Sequence, residues 1–156
     1  MTTLRPGIIA DVPAVLDLWT DLMRAGEEVD ARYVLADGAR DAARSWIRND
    51  WLSGRYPFPA LWVAEDEAIV AFLSITVSPS SPVVATPPTA CIQDLFVHPE
   101  HRRRGLATQL VRRAREAATA AGYSRHQVGT LGRDTRAVAF WQRQGFDPMF
   151  VQMIAS

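Results

Sequence analysis

The chain has 156 residues, 48% of them hydrophobic and 22% charged, which suits one domain with a buried core and argues against disorder. Its 17 basic and 17 acidic residues cancel, which disfavours general binding to nucleic acids or anionic membranes. The lone Cys91 cannot form an intramolecular disulfide, and neither a leader-like segment nor a bilayer-length apolar run is present. We therefore expect a cytoplasmic protein. Every basic residue is arginine, which we interpret as the codon bias of a GC-rich bacterial genome.

The first third of the chain is predicted to form one strand and two helices. Thr3–Ile9 is predicted to be a strand, and Asp11 is a suitable N-cap for the helix that follows. Apolar residues then recur at helical spacing until about Gly26. A second helix is predicted over Arg40–Leu52.

The middle of the chain has the pattern of a hairpin followed by a third, central strand. Leu61–Glu65 and Ala68–Val77 are predicted strands joined by the polar tip Asp66-Glu67. The segment Ser78–Thr89 holds four prolines, and we interpret it as a long loop between strands. Ala90–His98 is the next predicted strand.

The last third contains the clearest helix, Gly105–Ala121, whose apolar stripe ends at a natural glycine stop. A strand over Ser124–Leu131, a short helix over Asp134–Gln144 and a final strand over Met149–Ile154 complete the pattern. This order of elements predicts a single α+β domain over residues 1–156.

The segment between the central strand and the long helix has the features of an anion-binding turn. Arg102-Arg103-Arg104 immediately precedes Gly105, where the helix begins. The first N–H groups of a helix lack intrahelical partners and carry partial positive charge. Gly105 and Ala107 are small enough to let a phosphate approach the backbone, and the arginines add charged donors. A diphosphate fits these features.

Other common sites are not supported. The turn lacks the Gly-Lys-Ser/Thr of a Walker loop and the glycine spacing of a Rossmann fingerprint. The three histidines and Cys91 show no metal-ligand spacing, and no Gly-x-Ser-x-Gly elbow predicts a hydrolase. We expect no metal.

Arg102-x-x-Gly105-x-Ala107 resembles the pyrophosphate motif of the GNAT N-acetyltransferases. The resemblance extends to the central strand around Ile92–Pro99 and to the C-terminal helix with the Gly145-Phe146 that follows it. It implies a GNAT-type fold, in which a mixed, twisted and splayed central sheet is flanked by helices. It also implies transfer of the acetyl group of acetyl-CoA to a primary amine, with acetyl-CoA held in the gap of the splayed sheet and no metal.

The resemblance also implies which residues bind the donor. Backbone groups of the central strand would hold the pantetheine arm, and the turn and first helical residues would hold the diphosphate. The implied donor-binding residues are Leu95, Phe96, Val97, Arg102, Arg103, Arg104, Gly105, Leu106, Ala107, Thr108, Asp134 and Trp141.

The sequence departs from the family pattern in its C-terminal helix. Many members carry a Tyr four residues before Gly-Phe to protonate the leaving thiolate, and Trp141 stands there instead. An indole N–H is not a useful acid near neutral pH. Asp134 takes the position of the usual Asn and would cap the helix rather than contact a phosphate.

Four residues are candidates for chemistry and acceptor binding. Asp94 lies on the central strand and would either accept the proton of the amine or serve a structural role at a strand irregularity. Glu27, Glu28 and Tyr33 follow the first predicted helix and would line a pocket for a cationic acceptor, unless the two glutamates are simply a solvated loop.

Two other functions remain open at this point. A protein of the same fold that binds CoA without turnover is the main alternative, because Trp141 replaces the usual acid. A nucleic-acid-binding module is disfavoured by the zero net charge and by the lack of aromatic residues among the arginines. The acceptor is expected to be a small molecule or a protein amine, and a homodimer paired through the C-terminal strands is expected.

Overall fold

In the computed structural model, which describes all 156 residues, five strands lie side by side in chain order and form one mixed sheet. The strands are Thr3–Pro6 (β1), Leu61–Asp66 (β2), Ala68–Val77 (β3), Thr89–Val97 (β4) and Arg125–Val128 (β5). Neighbouring strands pair antiparallel, except that β4 and β5 are parallel. A parallel pair needs a crossover connection, and the helix between β4 and β5 provides it.

Four α-helices flank this sheet. They are Val12–Val29 (α1), Ala39–Trp46 (α2), Leu106–Ala120 (α3) and Thr135–Arg143 (α4). The helical path of α2 continues as a π-helical turn over Ile47–Trp51, so that the two together match the predicted second helix. No helix combines the length and the apolar character needed to cross a membrane.

The core lies on both faces of the sheet because successive strand residues point to opposite sides. Along β3, Leu73 and Ile75 belong to the cluster packed around Leu110 of α3, whereas Phe72 belongs to the cluster around Val15 of α1. All five side chains are fully buried, and each such side chain contributes about 1.5–3 kcal/mol to folding. The predicted α+β fold with a mixed sheet flanked by helices is confirmed.

Two irregularities in β4 shape the centre of the sheet. The pairing with β3 steps from Ser74↔Asp94 to Ile75↔Ile92, which leaves Gln93 as an extra, bulged residue. The pairing with β5 covers only Thr89–Ile92 of β4. Because β5 ends at Val128, the edge of β4 beyond Ile92 has no strand partner, and the sheet is open at this point.

The predicted strand over Met149–Ile154 is wrong, because these residues form no strand and are exposed. A strand needs a partner edge for its backbone hydrogen bonds, and this segment pairs with no edge of the sheet. The remaining differences concern bounds: β1 ends at Pro6, β5 ends at Val128, and α1 continues beyond Gly26.

Asp11 stands at the predicted N-cap position of α1, but its side chain does not cap the helix. Its carboxylate accepts the Ile8 N–H at 2.9 Å and two N–H groups of Arg5 at 2.8 and 3.0 Å. It makes no hydrogen bond to an N–H of α1. Asp11 therefore joins the end of β1 to the start of α1, instead of capping the helix.

Candidate active site

The turn from β4 into α3 presents a row of free backbone donors. None of the N–H groups of residues 103–108 donates a hydrogen bond within the protein. Arg103 and Gly105 both adopt left-handed backbone conformations, with φ of 62° and 74°. Alternation of this kind turns successive N–H groups into a concave anion-binding nest, and the helix dipole adds positive charge. The backbone of residues 102–108 therefore has the geometry predicted for an anion-binding turn, and we refer to these residues as the anion cradle.

The three arginines of the cradle differ in what they contact. Arg102 Nε donates to Val97 O at 3.0 Å, and its guanidinium carbon lies 5.3 Å from the centre of the Phe96 ring. Arg104 is half-exposed and lies 3.9 Å from Asp66 at the tip of the β2–β3 hairpin. Arg103 is exposed, and its side chain makes no hydrogen bond or ion pair with the protein. Arg102 is thus fixed against β4, while the other two are available to an anion.

The edge of β4 next to the cradle is open. Alternate residues of an antiparallel strand direct their N–H and C=O groups to opposite sides. The His98 N–H donates to Val70 O on β3, so Phe96 also faces β3, and Leu95 and Val97 face the gap left by β5. Two of the three predicted strand residues, Leu95 and Val97, therefore offer backbone groups to a ligand, although Arg102 already occupies the Val97 carbonyl.

Asp94 carries an unpaired carboxylate on the same stretch of β4. The side chain is half-buried and makes no hydrogen bond or ion pair with the protein. Burial raises the pKa of Asp94 to about 6. A carboxylate with that pKa binds an ammonium group and is also able to exchange a proton near neutral pH.

Tyr33, in the loop between α1 and α2, lies near enough to Asp94 for its phenol to be affected by the carboxylate charge, and Glu27 and Glu28 lie in the last turn of α1. Burial, followed by the negative charge of Asp94, raises the pKa of the Tyr33 phenol, whose O–H lies 3.3 Å from Met23 Sδ. Glu27 Oε1 accepts the Leu35 N–H at 2.9 Å and so braces the loop, while Glu28 is exposed. Glu27 therefore has a structural contact through one of its two oxygens, and the acceptor-binding role of Glu27 and Glu28 stays a prediction.

Asp134 and Trp141 stabilise α4. Asp134 Oδ1 accepts the Ala137 N–H at 3.0 Å and caps the helix, as predicted from the sequence. Trp141 is buried and packs edge-to-face against Phe140 and Phe146 at 5.0 and 5.4 Å between ring centres. Neither residue supplies an acid to the gap between β4 and β5.

Sequence reasoning did not identify Ser74, Thr76 and Gln93, which surround Asp94 on the same face of the sheet. Gln93 Nε2 donates to Thr76 Oγ1 at 3.0 Å, and Ser74 Oγ is buried without a partner. The signal in the sequence was the pair Gln93-Asp94, two consecutive polar residues inside an otherwise apolar strand. Such a pair is typical of a β-bulge.

The sequence of residues 15–146 matches the model of the Acetyltransferase (GNAT) family. The chain belongs to the GNAT acetyltransferase family. No curated protein matches the sequence. The GNAT-type fold that the resemblance implied, a mixed, open sheet flanked by helices, is therefore confirmed.

Solved structures share this GNAT fold at low sequence identity. The aminoglycoside N-acetyltransferase AAC(6')-Iy in complex with CoA is 18% identical, with a TM-score of 0.75 over 100% of this chain and 94% of that chain. A GCN5-related N-acetyltransferase from Ralstonia eutropha is 21% identical, with a TM-score of 0.74 over 100% and 99% of the two chains. A tetramutant of a Bacillus halodurans protein is 17% identical, with a TM-score of 0.81 over 99% of both chains.

Proposed function

We propose that this GNAT protein transfers the acetyl group of acetyl-CoA to a primary amine of a small molecule or a protein. The observation that carries the proposal is the juxtaposition on β4 of an anion cradle, an open strand edge and an unpaired carboxylate. Each part matches one part of the reaction: the diphosphate of the donor, its amide-containing arm and the amine of the acceptor.

The donor would bind along β4 and the start of α3. The free N–H groups of residues 103–108 and the side chains of Arg103 and Arg104 suit the diphosphate. The backbone groups of Leu95 and the Val97 N–H suit the amides of the pantetheine arm, in the manner of an added strand. The CoA complex of AAC(6')-Iy, which has the same fold, supports this choice of donor.

The chemistry would be direct attack by a neutral amine. The nitrogen lone pair forms a bond to the thioester carbon, the carbon–sulfur bond breaks, and CoA leaves as a thiolate. Asp94 would hold the incoming ammonium group and accept, directly or through water, the proton that it loses to become the neutral nucleophile. The nitrogen loses its second proton to solvent as the amide forms. Because Trp141 offers no acid, the thiolate would take its proton from solvent.

The second candidate function is CoA binding without turnover, and the burial of Trp141 at the usual position of the acid favours it. A turnover assay separates the two functions. The protein is incubated with acetyl-CoA and a panel of primary amines, and free thiol and the acetylated product are measured together. The proposal expects both products in equal amounts for at least one amine, whereas a binder releases no thiol above the rate without protein.

Two variants assign roles in that assay. Arg103→Ala with Arg104→Ala should weaken acetyl-CoA binding, whereas Asp94→Asn should lower turnover with little change in donor affinity. Asp21→Asn makes the same change at an exposed position of α1 and is the matched control for Asp94→Asn. Full activity of Asp94→Asn would remove Asp94 from the mechanism.

We also propose that two copies of the chain pair through their C-terminal segments. Five apolar residues of this segment are more than half exposed: Met149, Phe150, Val151, Met153 and Ile154. The outer edge of β5 has no strand partner, so a segment from a second copy would find free backbone groups there. Light scattering should show a dimer that Phe150→Asp converts to monomer, and a monomeric wild-type protein would contradict the proposal. We propose no nucleic-acid or membrane partner, and a cytoplasmic location.

A further inference from the structure

One face of the sheet changes from apolar to polar half-way along β3. Phe72 packs under α1, but the next residues on this face, Ser74, Thr76 and Ser78, are all hydroxylated. The same change occurs on β4, where Phe96 is apolar and Asp94 is its next neighbour on this face. The centre of the sheet thus has an uncharged polar surface that begins at the candidate catalytic carboxylate.

The bulge in β4 adds an amide to this surface. In a regular strand Gln93 and Asp94 would point to opposite faces. Because Gln93 is the extra residue of the bulge, its side chain reaches Thr76 on the same face as Asp94, and Gln93 Nε2 donates to Thr76 Oγ1 at 3.0 Å. The bulge therefore sets an amide directly beside the carboxylate.

A second amide continues the surface on β5. Gln127 is in register with Cys91 of β4, and its Nε2 donates to Ser78 Oγ at 3.1 Å. We refer to Thr76, Ser78, Gln93 and Gln127 as the polar strip. Gln93 and Gln127 are exposed, so each has an amide oxygen and a second N–H free for a ligand.

The polar strip has the chemistry of a hydroxyl-binding surface. Amides and hydroxyls both donate and accept hydrogen bonds, as an alcohol group does. An apolar ligand would remove water from these groups without offering them a hydrogen-bond partner. Among the residues of β4 and β5 on this face, the charged groups are Asp94 at one end and Arg125 at the other, where the Arg125 guanidinium contacts Met149 Sδ at 3.2 Å. A ligand lying on the strip therefore meets one carboxylate where the reaction is proposed to occur.

We propose that the polar strip binds the body of the acceptor and selects a primary amine that carries hydroxyl groups close to its nitrogen. The proposal rests on the acetyltransferase function proposed above and names the acceptor class. With a rise of about 3.3 Å per strand residue, the strip extends about 10 Å from Asp94 along β4. An amino alcohol or an amino sugar places its hydroxyls within that range when its nitrogen lies at Asp94.

Two pairs of amines test this selection. Serinol and isopropylamine share one carbon skeleton. Glucosamine and cyclohexylamine each carry the amine on a saturated six-membered ring, and only the first member of each pair carries hydroxyls. The wild-type protein should favour the hydroxylated member in kcat/KM. Gln93→Leu should reduce that preference about tenfold, the effect of one lost hydrogen bond, by lowering kcat/KM for the hydroxylated member alone.

The matched control is Gln142→Leu, which makes the same change at an exposed position of α4. It should leave the preference unchanged. Thr76→Val should act like Gln93→Leu, and Thr76→Ser, which keeps the hydroxyl, should restore the preference if the hydroxyl rather than the fold is responsible. Equal kcat/KM for both members of each pair in the wild-type protein would overturn the inference while leaving the acetyltransferase function intact.

A binding measurement decides the inference even if no amine is turned over. Glucosamine is titrated into the labelled protein, and the NMR signals of the side-chain amides are followed. The Gln93 and Gln127 signals should shift with one affinity, the Gln142 signal should not, and cyclohexylamine should leave all three in place. Absence of any shift at Gln93 and Gln127 would overturn the hydroxyl-binding role, whereas shifts without turnover would count against the proposed function alone.

Discussion

Replacing Asp94 by Asn should make the protein more stable at pH 8 while impairing its activity. The carboxylate is half-buried and has no hydrogen-bond or ion-pair partner, so the folded protein carries the cost of a poorly solvated charge. An amide of the same shape removes that charge. The expected trade between stability and activity is typical of a residue that is retained for function.

The size of the effect follows from the pKa of Asp94. Burial raises it from the ordinary value of 3.8 to about 6, and each unit corresponds to roughly 1.4 kcal/mol. The full difference sets a ceiling of about 3 kcal/mol, and the partial exposure of the side chain reduces the expected gain to about 2 kcal/mol. For a chain of this size that gain corresponds to a rise in Tm of about 4–8 °C.

The sign of the pH dependence is fixed by the direction of the shift. The folded protein binds the Asp94 proton more tightly than the unfolded chain does, so the neutral carboxyl is favoured by folding. The wild-type protein and Asp94→Asn should therefore be equally stable below about pH 4. As the pH then rises through about 6, the free energy of unfolding of the wild-type protein should decrease relative to that of Asp94→Asn.

Urea unfolding of the two proteins between pH 4 and pH 8 measures this difference. Asp21→Asn, the same change at an exposed position of α1, should show no comparable gain at pH 8. If the difference between wild type and Asp94→Asn did not change with pH, or if Asn were destabilising at pH 8, the picture of a buried and unpaired carboxylate would be refuted.

Three further predictions concern the cradle, the loop and the core. Gly105→Ala should cost about 1–2 kcal/mol in urea unfolding because of the left-handed φ of 74°, and equal stability of the two proteins would contradict the strain. Asp30→Asn should speed hydrogen exchange over residues 31–37, because Asp30 binds the backbone and side chain of Arg32 and lies 3.6 Å from Arg133. Since Arg32 holds the pKa of Asp30 well below its usual range, the stabilisation should persist in mild acid and disappear only in strong acid; a loss near pH 6 would contradict this. Trp141→Ala should cost about 3–5 kcal/mol, and a smaller loss would mean that the ring is not part of the core.

Much of the fold could be predicted from the sequence because the elements have strong local patterns. The apolar stripe of α3 and the polar tip of the β2–β3 hairpin fix those elements within two residues of their observed bounds. The anion cradle was equally visible, since a basic turn followed by glycine and a helix defines its backbone geometry.

The errors concern contacts between distant segments. Met149–Ile154 has a strand pattern but stays unpaired although the outer edge of β5 is free, because pairing depends on tertiary context that the sequence does not reveal. The hydrogen bond from the Leu35 N–H to Glu27 Oε1 is not visible in the sequence, because it depends on the path of the loop after α1. Gln93 looks like a residue of the opposite face, because the bulge that turns it towards Asp94 depends on the pairing with β3.

The most direct test of the central claim is a thermal-shift comparison with acetyl-CoA, free CoA, ATP and NAD. A ligand at about one hundred times its Kd adds roughly 2.7 kcal/mol, which raises Tm by several degrees for a chain of this size. The proposed donor site predicts a shift with acetyl-CoA and CoA that neither ATP nor NAD reproduces. No shift with either CoA species would contradict the assignment of the β4–α3 cradle to the donor.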